Sequence, residues 1–344
     1  MKAFRIYGAR DARYEELPDP GIGPDEVLLR VRAAAVCGTD LEIYQGTMFY
    51  FSSGMARYPI IPGHEWSGEV LEAGERVTNF RPGDKVVGEC TVSCGHCEFC
   101  RMGRYNQCTN RRETGILNLD GGFADRLRFP AAFLHKFERL SFEEACMCET
   151  TAISVYAVSL VETDPRDQVA VLGAGPIGLQ ALQAAKAYGA RKVVVIGGRP
   201  SRQQLALQLG ADAVVDPRQQ DLVEETLRLT DGRKFDVVIE CTGNPSVTRD
   251  MLRIVRPCAR ISMVGLFNSR VGEIDLDALV VNNVTIKGSL GSPNVWAETL
   301  HLMENGSIQA RPLISARLPL AQTLDAFKMM EEKRPELIKV VLLP

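Results

Sequence analysis

Along the first half of the chain, apolar and polar residues alternate in short runs. Lys2 to Tyr7, Glu26 to Ala34 and Gly68 to Ala73 each read as strands. Turn formers separate them, as in Pro18-Asp19-Pro20-Gly21 and Arg81-Pro82-Gly83-Asp84. Near residue 153 the texture changes to alternating strands and helices. The predicted strands are Gln168 to Leu172, Lys192 to Ile196, Ala213 to Val215, Phe235 to Glu240, Arg260 to Val264 and Val284 to Lys287. Between them lie the predicted helices Pro176 to Tyr188, Ser201 to Leu209, Asp221 to Leu229 and Ser246 to Val255. This alternation predicts an α/β protein whose second domain is a doubly wound parallel sheet with helices on both faces. The pattern is mixed again after residue 290. The expected division is a β-rich domain over 1–152, a parallel-sheet domain over 153–288, and a segment 289–344 that folds back onto the first domain.

Composition narrows the function classes. The chain has 344 residues and a net charge of -3, which argues against a phosphate-tracking nucleic-acid surface. The N-terminal stretch carries Lys2, Arg5 and Arg10 without an apolar core, so it does not read as a signal peptide. No apolar run approaches the about 20 residues of a membrane span. The expected location is the cytoplasm, with a small-molecule substrate and no membrane or nucleic-acid partner. Ten cysteines are many for a reducing compartment, and Cys94, Cys97, Cys100 and Cys108 fall within fifteen residues. Such a cluster suits a metal better than disulfides.

Four thiolates at this spacing can close a tetrahedral zinc shell with no open position, which makes the site structural. A second candidate site is dispersed over Cys37-Gly38-Thr39-Asp40, Gly63-His64-Glu65 and Cys146-Met147-Cys148-Glu149. Catalytic zinc takes three protein ligands and leaves one place open, and Cys, His and Glu are all competent donors.

The run Gly173-Ala174-Gly175-Pro176-Ile177-Gly178 is a G-x-G-x-x-G between a predicted strand and a predicted helix. That context points to a dinucleotide pyrophosphate seated on the helix N-terminus. After the next strand, an NAD site usually carries an acid for the ribose 2′-hydroxyl. Here the residues are Gly197-Gly198-Arg199-Pro200-Ser201-Arg202. Guanidinium groups hold a phosphate well, so the expected cofactor is NADP, with Arg199, Ser201 and Arg202 at its 2′-phosphate. The alternative is that these arginines face solvent and NAD is used.

Over essentially its whole length the chain resembles the medium-chain zinc-containing dehydrogenase/reductase family. The resemblance rests on Gly63-His64-Glu65-x2-Gly68-x5-Gly74-x2-Val77, on Cys-Gly-Thr-Asp at 37–40, on the four-cysteine lobe and on the glycine fingerprint, in the family's order. It implies a GroES-like β-rich catalytic domain and a Rossmann domain. It implies two zinc ions per chain. Cys37 and His64 match catalytic zinc ligands, and Glu149 falls at the third ligand position, with Cys148 as its rival. Glu65 matches an acid behind the zinc that approaches it during ligand exchange. Thr39 matches the hydroxyl that relays the substrate proton. Glu42 stands where many members have a relay histidine. Thr242, Gly265, Leu266, Ser289 and Leu290 match positions around the nicotinamide.

The resemblance further implies reversible oxidation of a secondary alcohol, with hydride passing to NAD(P). A glutamate at the third ligand position is shared with polyol and sugar enzymes, so a polyol, sugar or aminocyclitol is the expected substrate. An L-threonine 3-dehydrogenase-like activity is the alternative. A non-catalytic NADP-binding relative is an alternative of another class. The aromatic stretch Tyr44 to Tyr58 either walls the substrate pocket or serves a contact between subunits. Family resemblance implies a homodimer or homotetramer.

Overall fold

In the computed structural model, residues 1–267 and 273–344 are described. Two units make up the chain: Met1–Glu149 with Trp296–Glu304 and Leu313–Pro344, and Thr150–Val295 with Asn305–Pro312. The first division falls after Glu149, three residues ahead of the expected 152. Residues 289–295 and 305–312 group with the second unit instead of the first.

The first unit is organised by a seven-stranded sheet in the order Leu134–Lys136, Lys85–Gly88, Glu65–Ala73, Glu26–Ala35, Lys339–Leu343 and Ile314–Pro319, with Arg126–Pro130 also on Glu26–Ala35. Alternation sets the buried face of the central strand: Val27, Leu29 and Val31 are buried, while Arg30 and Arg32 are exposed. The strand at Gly68 starts three residues earlier than its pattern suggested, because Glu65, Trp66 and Ser67 pair with Ala35, Ala34 and Ala33. The core behind it includes Trp66 against Phe129, with ring centroids 5.1 Å apart. The final strand pairs Val341 with Ala35 and Leu342 with Ala34, next to the loop that carries Cys37.

The second unit holds a six-stranded sheet, all parallel, in the order Ala213–Val215, Lys192–Ile196, Gln168–Leu172, Phe235–Glu240, Val255–Met263 and Thr285–Gly288. This is the doubly wound order, whose ligand site lies at the carboxyl ends of the central strands. The central strands are buried along their whole length and mostly apolar, with Gln168, Asp236 and Glu240 as the polar exceptions, because both faces are covered. Helix Pro176–Ala187 starts with proline at its first turn and buries Leu179, Ala181 and Leu182. Helix Leu222–Leu229 is capped by Asp221, whose carboxylate accepts from Val223 N and Glu224 N. Among the described residues, no helix is long and apolar enough to cross a membrane.

Candidate active site

Cys37 caps helix Gly38–Gln45, directly after the central strand of the first unit. Asp40, fully buried, ties this turn to the His64 loop. Its carboxylate accepts from Cys37 N at 2.9 Å and from Gly63 N at 3.0 Å. His64 then faces Asp40 through Nδ1 at 3.6 Å, and its Nε2 lies 3.9 Å from Glu65 Oε1. Ligand atoms of Cys37, His64 and Glu65 all fall within 4.8 Å of one another.

Two observations test whether a metal fits. His64 Nδ1 and Glu65 Oε2 are buried without a hydrogen-bond partner, an arrangement that is costly unless something else satisfies them. Burial pushes the His64 pKa down, but Cys37 and Asp40 outweigh it and raise the value well above 6.5. The pocket therefore favours a positive charge, and thiolate, imidazole and carboxylate together suit zinc. Asp40 faces Nδ1 at 3.6 Å, too far for a hydrogen bond but placed to orient a ligating imidazole through its charge.

Lys339 was not singled out in the sequence. It is 3 % exposed, and its Nζ donates to Glu65 Oε1 at 2.6 Å and to Val36 O at 3.3 Å. Burial would lower its pKa, but Glu65 and Cys37 raise it, so the ammonium stays charged. A lysine at the head of the apolar run Lys339-Val340-Val341-Leu342-Leu343 was its only sequence signal.

Glu149 stands apart from this set. It lies in the first turn of helix Cys148–Leu160 and is 7 % exposed. Burial pushes its carboxyl up to about 7, with His64 and Lys339 opposing and Glu65 and Asp40 adding to the rise. Glu149 thus feels the same charges, yet the gathered donors are Cys37, His64 and Glu65. The expected trio of Cys37, His64 and Glu149 therefore stands as a proposal, beside the gathered Glu65. Cys148 is also outside the set, and burial raises its thiol well above its ordinary value. Thr39 Oγ1 lies 3.9 Å from Cys37 Sγ. Glu42 is half-buried one turn further along the same helix.

The four-cysteine lobe is a second group within 4.8 Å. Sulfur separations are 3.4 Å for Cys97–Cys100, 3.5 Å for Cys94–Cys108 and 3.9 Å for Cys94–Cys100. These are far longer than a disulfide and close to the about 3.8 Å edges of a tetrahedral zinc–sulfur shell. Backbone N–H groups of Cys94 and Asn110 donate to Cys108 Sγ. The Cys97 thiol is pulled down to about 6, chiefly by a backbone hydrogen bond from Cys100.

In the second unit, the fingerprint opens a cleft of about 610 Å³ lined by Gly173, Gly175, Gly198, Arg199, Arg202 and Thr242 among others. Gly173 has φ +104°, and a Cβ on Gly178 would fall 1.9 Å from Gly173 O, so this turn and its close packing require glycine. Pro176 begins the helix there, followed by Ile177. Burial, then the charge of Arg199, pulls the Arg202 pKa down to about 10. Ser201 sits on the same helix, Pro200–Gln208, but does not line the cleft. Arg218, unnoticed in the sequence, lines it too. Its guanidinium is held by Asp216 at 2.9 and 3.0 Å. Its Cζ lies 2.8 Å from where a Cβ on Gly198 would be.

Glu240, also unnoticed, organises the far loops of the cleft. It is fully buried, and its Oε1 accepts from Thr242 N at 2.6 Å, Gly243 N at 3.1 Å and the Thr242 hydroxyl. Its carbonyl accepts from Val264 N at 2.9 Å and Gly265 N at 3.2 Å. Thr242, Gly265 and the exposed Leu266 are thereby brought together. Ser289 N donates to Met263 O at 2.9 Å, which sets Ser289 and Leu290 beside the same strand end.

Comparison with known proteins identifies the family. Residues 23–139 match the alcohol dehydrogenase GroES-like domain, and residues 176–305 match the zinc-binding dehydrogenase family. The chain is 32% identical over 345 residues to a sorbitol dehydrogenase of Bacillus subtilis, covering 100% of this chain and 97% of that protein. It is 35% identical over 350 residues to an L-threonine 3-dehydrogenase of Symbiobacterium thermophilum, covering 100% and 98%. A protein from Sinorhizobium meliloti 1021, assigned as a zinc-binding dehydrogenase and solved with NADP, superposes with TM-score 0.92 at 30% identity, covering 100% and 99%. The chain belongs to the medium-chain zinc-containing dehydrogenase family and is a zinc-type oxidoreductase of alcohols and polyols that uses a nicotinamide cofactor.

Proposed function

We propose that the protein oxidises a secondary hydroxyl of a polyol, sugar or aminocyclitol, prefers NADP, and holds two zinc ions per chain. The observation that carries the reading is the group Cys37, His64 and Glu65 around buried atoms that lack partners. When bound, the catalytic zinc supplies a Lewis acid that acidifies the substrate hydroxyl, and the nicotinamide accepts hydride. Cys37 and His64 would hold the metal with Glu149 as the third ligand, and Glu65, gathered beside them, would approach it when ligands exchange. Asp40 orients the imidazole through its charge. Lys339 neutralises one oxygen of Glu65 and leaves the other for the site. The Thr39 hydroxyl takes the substrate proton and Glu42 carries it outward. The four cysteines hold the structural ion.

NADP preference is supported by the absence of an acid after Lys192–Ile196 and by Arg199, Arg202 and Arg218 in one cleft. Ser201 is offered as a further phosphate contact, and Thr242, Gly265, Leu266, Ser289 and Leu290 as nicotinamide contacts. All ten cysteines are free thiols, in keeping with a cytoplasmic setting. A homodimer or homotetramer is proposed with it, using the edge strand Thr285–Gly288 and the exposed Leu276, Val280 and Val281. L-Threonine oxidation is the second reading, favoured by the 35% identity to a threonine dehydrogenase.

The test is NADP and NAD reduction by the zinc-loaded protein over polyols, sugars, aminocyclitols and L-threonine. The expected result is turnover of a polyhydroxylated alcohol with higher kcat/KM for NADP. A higher kcat/KM for NAD overturns the cofactor assignment, and turnover of threonine alone overturns the substrate class.

A further inference from the structure

Between the four-cysteine lobe and the His64 loop lies a polar group that the chemistry above does not use. Its centre is Glu113, 7 % exposed, on the strand Arg112–Thr114 opposite Thr91. Arg111 Nε donates to Glu113 Oε1 at 2.8 Å, and the Tyr50 hydroxyl donates to the same oxygen at 3.3 Å. Arg111 Nη2 donates to the Tyr50 oxygen at 3.1 Å, closing the triangle. Among the described residues, no hydrogen bond reaches Glu113 Oε2. That oxygen is also not among the sealed atoms without partners. The carboxylate is pinned through one oxygen and open through the other.

The segment that carries Glu113 wraps the His64 loop. Gly115, at φ +67°, packs so closely that a Cβ would fall 2.7 Å from Gly63 N. Gly122 N donates to Gly63 O at 2.7 Å, and Ile61 N donates to Asp120 Oδ1 at 3.0 Å. Thr114 donates to Cys90 O through N at 2.9 Å and through Oγ1 at 3.2 Å. Burial holds the Cys90 thiol neutral, and the charges acting on it come from His64, Glu149, Glu113 and Cys37. Thr114 thus ties Cys90 to the strand of Glu113, and the charges of His64 and Cys37 act on the same thiol.

A partly buried ion pair is a poor device for stability alone, since desolvation offsets much of the attraction. A pinned carboxylate with one open oxygen does have a use beside a reaction centre. It rewards a ligand that brings a hydrogen-bond donor and penalises one that does not.

We propose that Glu113, held by Arg111 and Tyr50, is a specificity-determining residue of the substrate site and accepts from a hydroxyl or ammonium group on a carbon beyond the reacting one. This rests on the dehydrogenase reading above and narrows its substrate to alcohols that carry a second donor. The test compares kcat/KM for sorbitol, L-threonine and 2-butanol in the wild type, Glu113→Leu and Glu113→Gln, with thermal melting alongside. Glu113→Leu should lower kcat/KM for the preferred donor-bearing substrate by roughly tenfold to a hundredfold relative to 2-butanol, mainly through KM. Glu113→Gln keeps an acceptor but loses the charge. It should spare most activity on a hydroxyl donor and little on an ammonium donor, which separates the two sources. If Glu113→Leu does not fold, Tyr50→Phe should shift the same ratio by a few-fold. Equal losses on all substrates, or none, overturn the proposal. A wild type that prefers 2-butanol also overturns it and leaves the dehydrogenase reading standing. A wild type that oxidises no alcohol overturns both.

Discussion

The two metal-donor groups of the first unit make an instructive pair. In each, the donor atoms lie within 4.8 Å of one another. The four-cysteine lobe draws all its donors from one short stretch and offers four alike. The other group draws Cys37 and His64 from separate loops and adds Glu65, whose charge is balanced by Lys339 from the last strand. The first can close on its ion, and the second keeps unsatisfied buried atoms and a surplus of acids around an open place. On the proposed zinc reading, stability belongs to the closed group and reactivity to the open one.

The largest effects should separate the two groups. His64→Ala should lower kcat/KM by at least about a thousandfold, since metal activation of the hydroxyl is worth several kcal/mol. Its melting temperature should stay within a few degrees of the wild type. Cys97→Ser should do the reverse in kind, with loss of the lobe's metal and a clear fall in melting temperature. Should His64→Ala unfold the protein and Cys97→Ser leave it stable and active, the division of labour is wrong.

Next in size is the Glu65–Lys339 pair. Lys339→Met leaves a buried carboxylate without its partner and should cost about 3–5 kcal/mol in urea unfolding. The double variant Glu65→Gln/Lys339→Met should recover a good part of that loss. No recovery would mean that Lys339 contributes by packing alone. Smaller again is cofactor selectivity. Arg199→Ala should reduce the NADP-to-NAD ratio of kcat/KM by roughly tenfold to a hundredfold, as expected for a charged hydrogen bond. The ratio would not move if Arg199 merely faces solvent. The smallest effect expected is for Glu240→Gln, which weakens the hold on Thr242 and Gly243. A rise in KM for the dinucleotide of roughly tenfold should appear without a matching fall in kcat.

How much the sequence revealed follows the same contrast. The four-cysteine lobe and the Gly173–Gly178 turn were legible because all their parts are local. The parallel sheet was legible because its buried strands carry unbroken apolar runs, Val169 to Leu172 and Val193 to Ile196. Strand ends were less so: the strand at Gly68 begins at Glu65 because its pairing with Ala33 to Ala35 decides it. Lys339, Glu240, Arg218 and Glu113 were not legible. Each acts through a partner that the fold supplies, whether Glu65, the Thr242 loop, Gly198 or Tyr50, and a lone charged residue in the sequence normally means only a solvated surface.

The most direct test of the two-group account is the zinc content per chain of purified wild type and His64→Ala. Two zinc ions in the wild type and one in His64→Ala, with the four-cysteine lobe still filled, is the predicted result. A fully active wild type with one zinc, or a count unchanged by His64→Ala, would contradict it.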